Sequence, residues 1–233
     1  MKPVKVTAIV CAYNEETTIA RVLTTLVESP AIHEIVVVND GSLDKTGAYI
    51  DKHSHSPKVQ VITFDTNRGK GYAMAEGVIA AHNDILMFVD ADLLNFRGHF
   101  IDLLLDPLKR GLADMVIGHP TENMADEKLN PFKPLSGERT VYRADVLPLV
   151  EEMRKSRFGV ETLINLSYQS RRKRIHYVPL WGLVHPIKFQ KYSLARATRE
   201  YSAATNQIVK TAVVNYTLLL GSLQGFFRGE KER

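Results

Sequence analysis

Two carboxylates one residue apart close the apolar run Met87-Phe88-Val89-Asp90-Ala91-Asp92. Taking an unpaired carboxylate out of water costs several kcal/mol, so compensating charge must meet them. In an extended chain residues i and i+2 face the same way, and Asp90 and Asp92 placed so could face one divalent cation. The competing reading is a solvated acidic turn after a strand. Lys70 sits in Asn67-Arg68-Gly69-Lys70-Gly71, a glycine-flanked loop opening a helix. Backbone amides and a helix N-terminus attract anions there, so Lys70 is expected to touch nucleotide or phosphate; an exposed loop lysine is the alternative. Asn39-Asp40-Gly41-Ser42 is a turn and helix-capping sequence on any fold. Glu161 falls in the first turn of a helix starting near Gly159, where an acid stabilises the helix regardless of function. Gly137, Glu138 and Arg139 follow a polar, proline-containing loop.

The elements that must position these groups alternate. VKVTAIV, EIVVVND, VQVITF and DILMFVD read as strands, and segments starting near Glu15, Leu43, Gly71 and Gly98 read as helices. Such alternation predicts an α/β fold with a mostly parallel, Rossmann-like sheet flanked by helices. Ligands of such sheets bind beyond the carboxyl ends of the strands. The polar groups after the four strands therefore share one edge, which favours the functional reading of Asp90 and Asp92. Beyond residue 120 the pattern loosens. TENMADEKLNPFKP reads as a loop, followed by a strand-like GERTVYR, helices near Asp145 and Gly159, a short strand in IHYVPLWGLV, and helical sequence to the end.

AYNEE, VVVNDGSLDKT, NRGKGYAMAEG and FVDADL, in that order at the ends of successive strands, resemble the nucleotide-sugar-binding half of family 2-type glycosyltransferases with the GT-A fold. LSGERTVYR, FGVETLIN and WGLVHPIKF resemble acceptor-side motifs of polyprenyl-phosphate sugar synthases and glucosyl-3-phosphoglycerate synthases. The resemblance implies a GT-A domain over residues 1–190, divided into a nucleotide-sugar half (1–120) and an acceptor half (121–190), with an extension over 191–233. It implies that Asp92 ligates Mg²⁺ or Mn²⁺ with His185 completing the shell, and that Asp90 stands by the ribose and the metal's waters. Ala12, Tyr13, Glu15, Asp40, Lys70 and Ala91 would line the nucleotide sugar, Asp40 at the base. Glu161 would contact sugar or acceptor, as general base if the acceptor is a hydroxyl. A phosphate acceptor needs no base, and Arg139, Arg143 or Lys188 would then serve as anion clamps. The implied catalytic set is Asp92, Glu161, Lys70 and Arg139. One departure bears on the acceptor: where the phosphoglycerate enzymes carry an arginine two residues before the metal histidine, this chain has Leu183.

Charge adds a partner class. Residues 171–233 carry 12 Lys and Arg against 3 Asp and Glu, a net +9 within a chain of net +4. No zinc-finger spacing or aromatic RNA-binding signature accompanies this excess, so a nucleic acid is not expected; an anionic membrane surface is. Arg171-Arg172-Lys173-Arg174 reads either as a solvated helix end or as part of a lipid-facing patch. From Val209 to Phe227 apolar residues recur at helical spacing, suiting an in-plane membrane helix, a homodimer seam or packing on the chain's own core. Trp181, the single tryptophan, either shapes an acceptor pocket or packs in the core. The lone Cys11 excludes an internal disulfide and favours a reducing, cytoplasmic setting. The expected activity is transfer from a UDP- or GDP-sugar to a polyprenyl-phosphate or other lipid acceptor at the cytoplasmic membrane face. Alternatives are a soluble transferase acting on a small acid such as phosphoglycerate, and a nucleotide-sugar-binding or membrane-scaffold protein without turnover.

Overall fold

The computed structural model describes residues 4–121, 133–156 and 159–184. His185, Lys188 and the expected amphipathic extension lie outside the described residues.

The strands are β1 (Val6–Ala12), β2 (Glu34–Asn39), β3 (Val59–Thr63), β4 (Ile85–Asp90), β5 (Met115–Thr121), β6 (Arg139–Tyr142) and β7 (Ile175–Trp181). They form one sheet in the order β3-β2-β1-β4-β6-β5-β7. β1 pairs in parallel with β2 and β4, β2 with β3, and β5 with β7, while β6 runs antiparallel between β4 and β5. The mostly parallel α/β sheet expected from the alternation is present.

The helices are α1 (Ile19–Glu28), α2 (Thr46–His53), α3 (Lys70–Ala80), α4 (Gly98–Lys109), α5 (Arg143–Val146), α6 (Val150–Ser156) and α7 (Val160–Ser170). Strand parity divides the core into two layers. Val6, Ala8, Val10, Ile35, Val37, Met87 and Val89 pack with Ile19, Leu23 and Leu26 of α1 and Phe100, Ile101 and Leu104 of α4. Ile9, Val36, Val38, Leu86 and Phe88 face the other way, against Ala73, Met74 and Val78 of α3, Met153 of α6 and Leu163, Ile164 and Tyr168 of α7. Asp90 shares the parity of Leu86 and Phe88, so it points to the side where α3 and α7 begin.

Three sequence expectations change. α1 begins at Ile19, because the Glu15 carbonyl accepts from the amides of Thr18 and Ile19 and residues 16–18 form a turn. β5 was not anticipated, since Gly118 and Pro120 interrupt its apolar run, yet it is laddered to β7 along its length. β4 ends at Asp90, and Ala91 and Asp92 form a turn, so the extended-chain premise for pairing these two carboxylates does not hold.

Candidate active site

The order reverses at β1, whose neighbours β2 and β4 lead off in opposite directions, and this opens a crevice at their carboxyl ends. Two helices begin there. Lys70, first residue of α3, donates from Nζ to Asp90 Oδ1 at 2.7 Å and meets Glu161 Oε1, in the first turn of α7, at 2.8 Å. A cation at a helix N-terminus opposes the macrodipole, and the two carboxylates offset that. Burial by itself would lower the Lys70 pKa; Asp90 and Glu161 outweigh it and raise it well above the usual lysine range, so the ammonium is charged at every physiological pH. Glu161 is 7% exposed, with its carboxylate paired to this ammonium. Gly137 abuts the pair: a Cβ there would lie 2.2 Å from Asp90 Oδ2, so only glycine lets the turn before β6 press on that carboxylate. The concavity bounded by Cys11, Lys70, Met74, Asp90 and Gly137 holds about 10 Å³. Burial pushes the Cys11 thiol up, against a smaller lowering by Lys70, leaving it a neutral packing group.

The edge around this centre is built from interlocked loops. Asn14 takes a left-handed conformation at φ 56°; its Oδ1 accepts from the Leu43 amide at 2.8 Å and its own amide donates to Ser42 Oγ at 3.1 Å. The Glu15 amide donates to Thr46 Oγ1 at 2.8 Å. Asp40, 4% exposed, accepts from the amides of Arg68 and Gly69 at 2.7 and 2.9 Å and from Asn67 Nδ2 at 3.0 Å. Its carboxylate therefore organises the loop that delivers Lys70. Gly41 lets the two loops meet: at φ 71°, a Cβ would fall 2.5 Å from the Thr66 carbonyl carbon.

Of the residues singled out from sequence, Lys70, Asp90 and Glu161 come together. Ala12 and Ala91 are buried at the same edge, Tyr13 is 37% exposed beside them, and Glu15 is half-buried. Asp92 is half-buried in the turn after β4. Arg139 is 0% exposed, and its guanidinium donates to Asn165 and to the carbonyls of Glu161, Pro134 and Ser136 rather than opening on the crevice. Burial lowers its pKa, opposed chiefly by Glu161 and Asp90. Arg143 is carried to the far edge by antiparallel β6, where Nε and Nη2 donate to the carbonyls of Val78 and Ile79; it is no clamp for an acceptor in the crevice. Leu183 is 0% exposed, in the core layer of α1 and α4. Trp181 is 43% exposed, against its core-packing reading. Sequence reasoning placed Asn14 and Asn67 in the polar clusters at this edge without giving either a role, and passed over Asn165, whose signal was its place one turn beyond Glu161 on the same helix face.

Among the described residues, no group of three or more His, Cys, Asp or Glu is placed to hold a metal ion, and His185 lies outside them. The donors present at the mouth are carboxylates, which suit Mg²⁺ or Mn²⁺. A larger concavity of about 330 Å³, lined by Lys5, His33, Glu34, Lys58 and His82, lies at the amino ends of the strands. There Glu34 is paired with His82, and Lys58 Nζ donates to the carbonyls of Val27 and Ser29 at the end of α1.

A crevice at the reversal of a largely parallel sheet, with Lys70 and Glu161 where helices begin and Asp90 closing a strand, fits an α/β enzyme of the GT-A glycosyltransferase type. Residues 7–206 match glycosyl transferase family 2, and the chain belongs to that family. It is 27% identical over 168 residues to a 4,4'-diaponeurosporenoate glycosyltransferase of Staphylococcus aureus, covering 68% of this chain and 43% of the relative. It is 38% identical over 87 residues to a mouse dolichyl-phosphate beta-glucosyltransferase, covering 36% of this chain and 25% of the relative. The chain thus spans less than half the length of either. Glucosyl-3-phosphoglycerate synthase of Mycobacterium tuberculosis, solved with phosphoglyceric acid, superposes with a TM-score of 0.71 at 21% identity, covering 91% of this chain and 80% of that one. The same enzyme with Mn²⁺, UDP and glucosyl-3-phosphoglycerate also gives 0.71, at 23% identity.

Proposed function

We propose that this glycosyltransferase moves a sugar from a nucleoside diphosphate sugar, a UDP- or GDP-sugar, to a polyprenyl phosphate or other lipid acceptor at a membrane surface. The observation that carries the reading is Lys70 held between Asp90 and Glu161 at the crevice mouth. Breaking a glycosidic bond to a diphosphate builds negative charge on the leaving group, and fixed cations and helix N-termini aimed at that charge lower the barrier. Lys70 and the amides opening α3 supply both. Asp92, with His185, would hold Mg²⁺ or Mn²⁺, which when bound supplies further neutralisation of the diphosphate. Asp40 sets the loop of residues 67–69 that delivers Lys70, and Tyr13 and Glu15 flank the space for base and ribose. Glu161 orients the sugar or acceptor and takes the proton if the acceptor is a hydroxyl. The two curated relatives are named for lipid-related acceptors, which supports the lipid reading. For a phosphoglycerate acceptor the anion clamp is weak: Leu183 is buried and apolar where an arginine would stand.

The test is release of nucleoside diphosphate from a panel of UDP-, GDP- and ADP-sugars with Mn²⁺, alone and with polyprenyl phosphate or 3-phosphoglycerate. Slow hydrolysis, acceleration by the lipid and abolition in Asp92→Ala are expected. Acceleration by phosphoglycerate alone replaces the lipid with the small acid, and binding without turnover across the panel supports the non-catalytic alternative.

A further inference from the structure

The acids of the crevice are held by groups that do not reach it. The Arg139 guanidinium, wholly buried, donates through Nη1 to the Glu161 carbonyl at 3.5 Å and to Asn165 Oδ1 at 3.1 Å. Through Nη2 it donates to the carbonyls of Pro134 at 3.4 Å and Ser136 at 2.5 Å. Asn165, 6% exposed, closes the ring by donating from Nδ2 to the same Pro134 carbonyl at 2.6 Å. Residues 161 and 165 are one turn apart on one face of α7, so the helix is gripped along that face. The gripping turn, residues 134–137, also ends in Gly137, pressed on Asp90. A guanidinium and a carboxamide thereby tie the helix carrying Glu161 to the turn that abuts Asp90.

We propose that Arg139 and Asn165 are positioning residues: together they fix the rotation and height of α7, and so the Asp90–Glu161 gap that Lys70 spans, without touching either substrate. The proposal rests on the glycosyl-transfer reading and assigns Arg139 a role other than anion clamp. Apolar packing can hold a helix, but it is non-directional. Hydrogen bonds weaken steeply off-axis, so the five that converge here, four from Arg139 and one from Asn165, define one orientation. A buried charge is weak evidence for stability, and directional restraint is what this arrangement adds. A misplacement near 1 Å in such a site costs up to about a hundredfold in rate. Tyr13, Glu15 and Asp40, on the loops after β1 and β2, make no hydrogen bond to Arg139 or Asn165, so the transfer step, which needs Lys70 and Glu161 in register, depends on the brace more than nucleotide binding does.

The test uses the full chain with UDP, GDP and ADP, each with Mn²⁺, as binding probes. In Asn165→Ala the nucleoside diphosphate that the parent binds is expected to bind within twofold of the parent Kd, while kcat for transfer falls by about tenfold to a hundredfold. Asn165→Asp keeps the acceptor for Arg139 but turns a carboxylate oxygen on the Pro134 carbonyl in place of the donor, and is expected to recover kcat in part, to a value between those of Asn165→Ala and the parent. Amide hydrogen exchange, which needs no ligand, is expected to accelerate at residues 160–164 in Asn165→Ala and to stay at parent rates in β1 and β4. Unchanged kcat, a kcat loss matched by an equal loss of diphosphate affinity, or exchange that is uniform or unaltered each overturns the proposal. If the parent neither binds a diphosphate nor transfers, the glycosyl-transfer reading falls and takes the catalytic half of this proposal with it. Exchange at 160–164 then still decides whether the brace exists.

Discussion

At the scale of single residues, the site is a charge arrangement in which one ammonium serves two acids. Lys70→Ala removes the shared cation and leaves the carboxylates of Asp90 and Glu161 facing each other at the places where they stood 2.7 and 2.8 Å from Nζ. Like charges at such range repel strongly in a partly desolvated setting. The urea midpoint is expected to fall, and kcat to drop by about a hundredfold or more, the usual effect of losing one fixed electrostatic group at developing charge. Adding Glu161→Gln should recover much of the midpoint by removing the repulsion, and none of the kcat. Urea denaturation and initial rates on the three proteins check this; a midpoint unmoved in the single variant would show that the acids do not depend on Lys70. The residue types involved were legible from sequence, because Lys70 among glycines and Asp90 after an apolar run break local expectations. Arg139 was not. Its spacing fits a clamp as well as a brace, and only burial distinguishes a guanidinium that meets ligand from one that meets carbonyls.

Among the elements, the sheet is pinned at its other end by a second acid. Glu34, at the start of β2, accepts from Thr7 Oγ1 of β1 at 2.5 Å and from the amide of His82, just beyond α3, at 2.9 Å. His82 Nδ1 lies 2.6 Å from its Oε1. Burial pushes the Glu34 carboxyl up, but the hydrogen bonds from Thr7 and His82 outweigh it and leave the pKa below the ordinary value of 4.5. A carboxyl with a depressed folded-state pKa contributes stability above its unfolded value, and the contribution is lost as pH falls through the folded value. The urea midpoint is therefore expected to decline as pH drops below about 4.5, and Glu34→Gln to flatten that decline. A parent and variant with parallel pH profiles would refute the linkage. The strands of the first half were readable because buried parallel strands give continuous β-branched runs. β5 was not, since Gly118 and Pro120 mask a ladder set by its neighbours rather than by its own propensities. The antiparallel course of β6, which sends Arg143 away from the crevice, is likewise a pairing outcome.

For the whole molecule, charge distribution is the remaining question. Of the basic run after α7, Lys173 reaches Asp145 at 2.7 Å, Arg171 at 3.7 Å, and Arg174 meets Asp114 at 3.2 Å. These pairs reduce what the run offers a membrane and favour its reading as a helix end. On the proposed membrane reading, attraction to an anionic leaflet, about 1 kcal/mol per basic residue, would come mainly from residues beyond 184. Among the described residues no helix is long and apolar enough to cross a membrane. The full chain is expected to float with anionic vesicles, and a chain ending at residue 205 to float markedly less. Equal flotation would remove the tail from membrane binding. Sequence alone determined the alternation of elements, the edge at which the polar groups collect and the family, because periodicity and short motifs are properties of neighbours along the chain. Which side Asp90 faces, what Lys70 touches, and whether Arg139 and Arg143 reach the crevice were decided only by the tertiary structure. Strand parity, pairing direction and burial depend on residues far apart in sequence, and no local pattern encodes the charge that a folded neighbour brings within 3 Å.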